Sequence, residues 1–263
     1  MDNLTEKPKI KGAIIIYSCH KHRNTRLKEF CLPQKEYLGW KVFTVIGNPH
    51  IEPEFEIQGN MITLRCEDSY LHILKKVVMG IKAVYAMYDV EEGVLRTGDD
   101  ILFNENRMVA FLQKTDKTDY MGIMVKKTDY GLLLNGNKTK IDYFMPNYYS
   151  QHLEDLTEYY NNLKITYEDI LKLHIVPAVN YAGGAMFYIS NKSCKVLVEH
   201  LESVDWDIYK YYEKDGYPYI VEDMGVGYIL DKNNIPVTNY VLYTDLGKPI
   251  SNESIAIHTN KYR

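Results

Sequence analysis

Two adjacent carboxylates, Asp99 and Asp100, interrupt the apolar passage VLRTGDDILF, residues 94–103. Like charges a few ångströms apart repel in a low-dielectric setting unless a cation or hydrogen-bond donors offset them. A hard divalent ion such as Mn²⁺ or Mg²⁺ does so and can bridge to a diphosphate; a solvated Gly-Asp-Asp turn is the competing account. A second acidic pair, Glu222 and Asp223, stands in VEDMGVGYIL. Free amides at a helix start favour carboxylates there, and the chemical alternative is a general base that takes a proton from an attacking hydroxyl. Gly183 and Gly184 in YAGGAMFYIS permit close backbone approach by a ligand, or make an ordinary tight turn. His258 is either a late metal ligand or surface decoration. HKHRNTR, residues 20–26, gathers basic groups, Arg23 and Arg26 among them, where a phosphate or uracil would lie in a nucleotide-binding sheet. A solvated helix start explains the same residues.

The elements that must position these groups alternate along the chain. GAIIIYS, residues 12–18, is a continuous apolar run, as expected for a strand covered on both faces. KVFTVIG and MITLRC are two further strands, and the polar stretch between the first two is expected to be a loop and an amphipathic helix. This alternation predicts an α/β fold, a mostly parallel central sheet with helices on its faces. From Tyr70 to Tyr88 apolar residues recur at helical spacing, with Asp68 or Ser69 as the cap. GVLRT then forms a strand with the acidic pair at its carboxyl end, the edge where open α/β sheets bind ligands. NENRMVAFLQK follows as a helix capped by Asn104, and DYMGIMV as a strand. YAGGAMFYIS is a strand, NKSCKVLVEHLES a helix capped by Ser190 or Asn191, and VEDMGVGYIL a helix start. The last residues hold strand-like pieces. Residues 134–179 form an aromatic and polar excursion, expected on the acceptor side, and without repeats or linkers the chain is expected to be one domain, 1–263.

Bulk properties narrow the partners. The net charge is −4 and no long basic run occurs, which argues against duplex nucleic acid, whose phosphates need clustered Lys and Arg. The N-terminus lacks the apolar core of a signal peptide, and no stretch approaches the roughly 20 apolar residues of a membrane span. Cys19, Cys31, Cys66 and Cys194 are scattered without metal or disulfide spacing, so reduced thiols and a cytoplasmic location are expected.

Taken in order, a strand-end DD, then GGAxxxIS, then ED with VG close behind, then a late His, the sequence resembles the Fringe and β1,3-galactosyltransferase superfamily from about Gly12 to His258. That superfamily comprises metal-dependent glycosyltransferases with the GT-A, Rossmann-like fold. TGDDILF resembles its DDD segment, with Gly98 in place of the first Asp. DSYLHILKK resembles its DSYxNLTLKT helix at Asp68, Ser69, Tyr70 and Lys76, with His72 where Asn is usual. VEDMGVGYIL resembles EDVxxG, whose glycine aligns with Gly225 or Gly227. The resemblance implies inverting, β1,3-type transfer from a UDP-sugar to a carbohydrate or glycoprotein acceptor. It implies that Asp100 and His258 hold Mn²⁺ or Mg²⁺ with help from Asp99, which also nears the ribose, and that Asp223 is the base. Arg23, Arg26 and Lys76 would contact nucleotide or phosphate, and Gly183 and Gly184 would let the sugar lie against the backbone. Animal members carry a membrane anchor and disulfides, so this chain is expected to be a soluble microbial or viral form. Two other classes stay open: a non-catalytic nucleotide-sugar or carbohydrate-binding module on the same fold, and a sugar-phosphate nucleotidyltransferase, although YSCHKHRNTR lacks the glycines of that class.

Overall fold

The structure is a computed structural model describing residues 6–30, 32–68, 72–126, 179–203 and 222–259. In chain order its first strands are β1 (Lys9–Tyr17), β2 (Glu36–Tyr37), β3 (Trp40–Gly47), β4 (Phe55–Gln58), β5 (Met61–Leu64) and β6 (Asp89–Gly98). Then follow β7 (Ile101–Phe103), β8 (Tyr120–Val125), β9 (Tyr181–Ser190), β10 (Thr238–Asn239), β11 (Tyr243–Asp245) and β12 (Ala256–His258). The α-helices among the described residues are α1 (Arg26–Glu29), α2 (Ile73–Met87), α3 (Glu105–Leu112), α4 (Asn191–Glu202) and α5 (Glu222–Lys232).

The large sheet runs β10-β8-β9-β6-β1-β3-β5-β4, with β2 folded back on β3. β6, β1, β3 and β5 are mutually parallel, while β9 is antiparallel to both of its neighbours and β4 to β5. Period-two alternation in β1 divides the core. Ala13, Ile15 and Tyr17 join α2, α4 and α5 on one face, through Val77, Ile81, Leu197, Val226 and Ile229. Ile14 and Ile16 face the other way, with Trp40, Leu95, Met108, Phe111 and Tyr188. The expected α/β architecture, a mostly parallel mixed sheet flanked by helices, is the observed one.

Local expectations fare unevenly. Asn104 caps α3 by accepting the Arg107 amide at 3.2 Å, and the Ser190 hydroxyl accepts the Ser193 amide at 3.3 Å at the start of α4. The helix expected from Tyr70 begins at Ile73, and His72 stands at its N-cap without a side-chain cap bond. The Asp68 carboxylate is drawn to three donors from elsewhere, described below. Ser69 and Tyr70 lie outside the described residues. The amphipathic helix expected after β1 shrinks to a 3₁₀ turn, His20–His22, and the single turn of α1. Pro33 disfavours helix just ahead of it, and the side chains of His22 and Arg26 are engaged with the acidic turn instead. The 134–179 excursion falls outside the described residues up to 178.

A second, three-stranded sheet was not expected as such. β12 pairs antiparallel with β7 and parallel with β11. Its register sets His258 opposite Ile101 on one side and Asp245 on the other, and Thr259 N–H donates to the Asp100 carbonyl. The chain end is thereby sewn to the acidic turn.

Gly227 of EDMGVG stands where the packing demands a glycine. A Cβ there would stand 2.4 Å from Tyr181 Cβ and 3.3 Å from the Asn180 carbonyl oxygen, so α5 reaches β9 closely because this residue has no side chain. Gly227→Ala is expected to destabilise by about 1–3 kcal/mol, the usual cost of overpacking, measured by denaturant unfolding.

Candidate active site

The carboxyl ends of β1, β3, β5 and β6 meet at one edge of the sheet, tied by a buried polar chain. Asp68, beyond β5, accepts the Gly47 amide at 3.0 Å through Oδ1 and the His20 amide through Oδ2. Lys76 of α2 closes the node, donating to Asp68 Oδ1 at 2.5 Å and to the Ser18 carbonyl at 2.7 Å. Lys76 is buried, so its ammonium joins three strand ends from beneath. Burial pushes the neighbouring His72 imidazole down to about 4, against the pull of Glu67.

Ser18 passes the connection onward. Its hydroxyl donates to Asp99 Oδ2 at 2.6 Å, His22 Nδ1 lies 3.1 Å from the same oxygen, and Arg26 Nη1 reaches Asp99 Oδ1 at 3.1 Å. Asp99 is 7% exposed. The solvated-turn account therefore fails for this residue, whose two oxygens draw the loop between β1 and α1 against the acidic turn. Burial and the nearby Arg26 charge hold His22 below its ordinary range, overcoming the Asp99 carboxylate. Arg23 is exposed on the same loop.

Asp100 faces elsewhere. Its Oδ2 lies 3.3 Å from His258 Nε2, while His258 Nδ1 lies 2.9 Å from Asp245 Oδ1. The imidazole is buried and held from behind by a carboxylate, the arrangement that fixes the tautomer and raises the basicity of metal-ligating histidines. Carboxylate oxygen plus imidazole nitrogen is a donor set suited to Mn²⁺ or Mg²⁺, ions that complete their shells with water and substrate phosphate. No group of three such side chains able to hold an ion converges among the described residues, so protein donors alone would leave most of the shell to water and substrate. The residues fit the expected ion on that basis. Asp245 carried no sequence signal, because its part depends on the β11–β12 register.

Gly183, Gly184 and Ala185 link this pair to the second acidic pair. Tyr243 stands edge-on to His258, ring centres 5.6 Å apart, and a Cβ on Gly183 would lie 3.1 Å from its hydroxyl. A Cβ on Gly98 would lie 3.1 Å from Asp100 Oδ1 and 3.8 Å from the Ala185 carbonyl oxygen. A Cβ on Gly184 would lie 3.2 Å from Asp223 Oδ2. Asp223 thus rests against the glycine backbone, accepting the Gly184 amide at 2.9 Å through Oδ2 and the Met224 amide at 2.9 Å through Oδ1. Burial raises its carboxyl above the ordinary range, and those amides and Arg96 pull the other way. One face stays partly accessible, as a proton acceptor needs.

Glu222 points away from that face into the protein. Its Oε2 is 3.0 Å from Arg96 Nη2, and both residues are buried. Arg96 Nη1 also donates to the Gly184 carbonyl. Sequence reading passed over Arg96 because an arginine in a strand end reads as an exposed position. Burial pushes the Glu222 carboxyl up to about 7, with Arg96 opposing and Asp223 adding to the rise.

The sign of the resulting pH effect follows directly. A carboxyl raised in the folded state adds stability when protonated, fully present below about 4.5 and lost as pH climbs through about 7. The melting temperature is expected to fall across that window, and Glu222→Gln to flatten the fall, read by calorimetry at closely spaced pH values. An unchanged slope in the variant would refute the assignment.

The sequence has a counterpart among known families. The sequence matches the model of the galactosyltransferase family over residues 47–241, a span that includes Asp68, both acidic pairs and the paired glycines. A comparison with curated protein sequences gives no match. Among solved structures, that of mouse xyloside xylosyltransferase 1 in its apo form is similar over 95% of this chain and 97% of that one, with a TM-score of 0.42 and 7% identity. No helix among the described residues is long and apolar enough to cross a membrane. With most of its length matched, Asp99, Asp100 and Asp223 included, this chain belongs to the galactosyltransferase family.

Proposed function

We propose that the protein is a metal-dependent, inverting glycosyltransferase that moves a sugar from a UDP-sugar to an acceptor hydroxyl of a glycan, glycoprotein or small glycoside, with β1,3 linkage. The observation that carries this reading is the approach of Asp100 and His258, 158 residues apart in sequence, to 3.3 Å, with Asp223 held on the Gly184 amide.

In the reaction, Asp223 accepts the proton of the acceptor hydroxyl. The freed oxygen bonds to the anomeric carbon from the face opposite the diphosphate, and the bond from that carbon to the diphosphate oxygen breaks, its electron pair leaving with UDP. The Gly184 and Met224 amides hold one Asp223 oxygen each and so aim the carboxylate, while burial raises its proton affinity toward the range a base needs. Asp100 and His258 would hold Mn²⁺ or Mg²⁺, which when bound neutralises charge gathering on the leaving diphosphate. Asp99 orients Arg26 and the imidazole of His22, and the Arg26 guanidinium with exposed Arg23 suits a nucleotide diphosphate. Lys76 supports the loop after β1 from below through Ser18. Gly183, with no side chain beside Tyr243, leaves room for the donor sugar against the backbone.

A thermal-shift panel of UDP-sugars with and without Mn²⁺ identifies the donor, since a ligand that binds the native state raises the melting point. With that donor and Mn²⁺ saturating, the protein is expected to release UDP slowly and to stop on addition of EDTA; binding without release would assign it as a binding module. Asp223→Asn is expected to lower turnover by ~10²–10⁴-fold, the usual contribution of proton transfer, with donor binding retained. Full activity in this variant would remove Asp223 from the mechanism. Asp245→Asn is expected to weaken Mn²⁺ binding about 10–100-fold, measured by titration calorimetry without donor, whereas Asp223→Asn leaves that affinity unchanged.

A further inference from the structure

We propose that Arg96 is the positioning residue of the catalytic base: its buried guanidinium holds Gly184, whose amide supports Asp223, and the adjacent Glu222, and supplies the positive charge behind it. The proposal rests on the reading of Asp223 as base. Arg96 sits in β6, 5% exposed, with the rings of Tyr17 and Phe187 centred 5.7 and 5.4 Å from its guanidinium carbon. Aromatic faces on this scale stabilise a desolvated cation and leave its planar fork pointing along one direction.

That direction is the site. Nη1 donates to the Gly184 carbonyl and lies 3.4 Å from the Ala185 carbonyl oxygen, while Nη2 pairs with Glu222 at 3.0 Å. Gly184 carries the amide that holds Asp223 Oδ2, and Glu222 precedes Asp223 in the chain. One side chain thus clamps the start of β9 to the start of α5, and Asp223 spans the clamped pieces.

The pair is poorly explained as a stabilising device. A buried ion pair is often no more stable than apolar residues of the same volume, and Arg96 Nε and Glu222 Oε1 have no hydrogen-bond partner among the described residues. Groups chosen for stability alone are seldom left so incompletely satisfied. Among the described residues, several charged and titratable groups lie around Asp223, the Tyr181 phenol of β9 included. Arg96 comes from β6 and Glu222 from its own helix; Tyr120 of β8 and Tyr17 of β1 are phenols whose ionisation burial suppresses. The Cys194 thiol of α4 is likewise pushed up to about 12 by burial, and α2 contributes apolar side chains to the shared core. Arg96 is the cation of this set, and it draws the Asp223 carboxyl down against its burial.

Removal of the cation makes the base harder to ionise, so activity should need a higher pH. With donor and Mn²⁺ saturating, Arg96→Met is expected to move the acid limb of the kcat profile upward by roughly 1 pH unit or more, the scale of one close opposite charge, with KM for donor little changed. Arg96→Lys keeps the charge without the fork: its acid limb should stay in place while kcat falls. Should Arg96→Met fail to fold, Arg96→Met combined with Glu222→Gln removes both buried charges and should show the same upward shift. A folded Arg96→Met or double variant with its acid limb unmoved overturns the proposal. Asp223→Asn separates the two layers: if it keeps full turnover the base reading falls, and if it is inactive while the limb stays put, only the role of Arg96 falls.

Discussion

Antiparallel insertion of β9 between β6 and β8 sets the positions of everything chemical in this molecule. In a sheet whose other central strands run parallel, the ligand-binding edge receives strand ends. Reversal of β9 delivers a strand beginning there instead: Thr97 pairs with Met186, so the next residues of β6 run out beside Ala185, Gly184 and Gly183. A parallel β9 would have left those glycines at the far edge. Because strand β9 starts at the site, the base can rest on backbone amides, and the helix carrying it can pack across the strand through Gly227.

The edge also has to carry many carboxylates without repelling itself apart, and it does so by giving each a separate environment. Asp68 is neutralised by Lys76 and held by two amides, Asp99 by Arg26 and the Ser18 hydroxyl, and Glu222 by Arg96. Desolvated charges demand such partners. Two carboxylates have surroundings of another kind: Asp100 meets an imidazole, and Asp223 meets backbone amides. The division separates groups that build the edge from groups with capacity to act at it.

Much of this edge was legible in the sequence because its signals are local. The isoleucine run of β1, the capping asparagine of α3, the glycine pair and both acidic pairs depend on neighbours within a few residues. What escaped depends on long-range register. Asp68 has the look of a helix cap, yet it also takes the amides of Gly47 at the end of β3 and of His20 just beyond β1. Arg96 reads as an ordinary polar end to a strand until Glu222, 126 positions away, is brought beneath it. Asp245 acquires a role solely through pairing of β11 with β12. The short helix α1 was overestimated for a related reason, since the polar residues that suggested an exposed helical face serve the acidic turn instead.

The doubled charge in GDD is tolerated because the turn sends its two carboxylates in opposite directions. Asp99 points inward to the loop after β1 and is nearly sealed, whereas Asp100 points toward the second sheet and His258. Gly98 belongs to the same arrangement. The resembled motif has a third aspartate there, but a Cβ at this position would press within 3.1 Å of Asp100 Oδ1, tighter than ordinary van der Waals contact. A side chain at this position would therefore make the carboxylate give by a few tenths of an ångström. Restoring the aspartate would add a like charge beside Asp100 and press on Oδ1, the oxygen other than the one 3.3 Å from His258 Nε2, so the pair is arranged with this turn free of a third carboxylate.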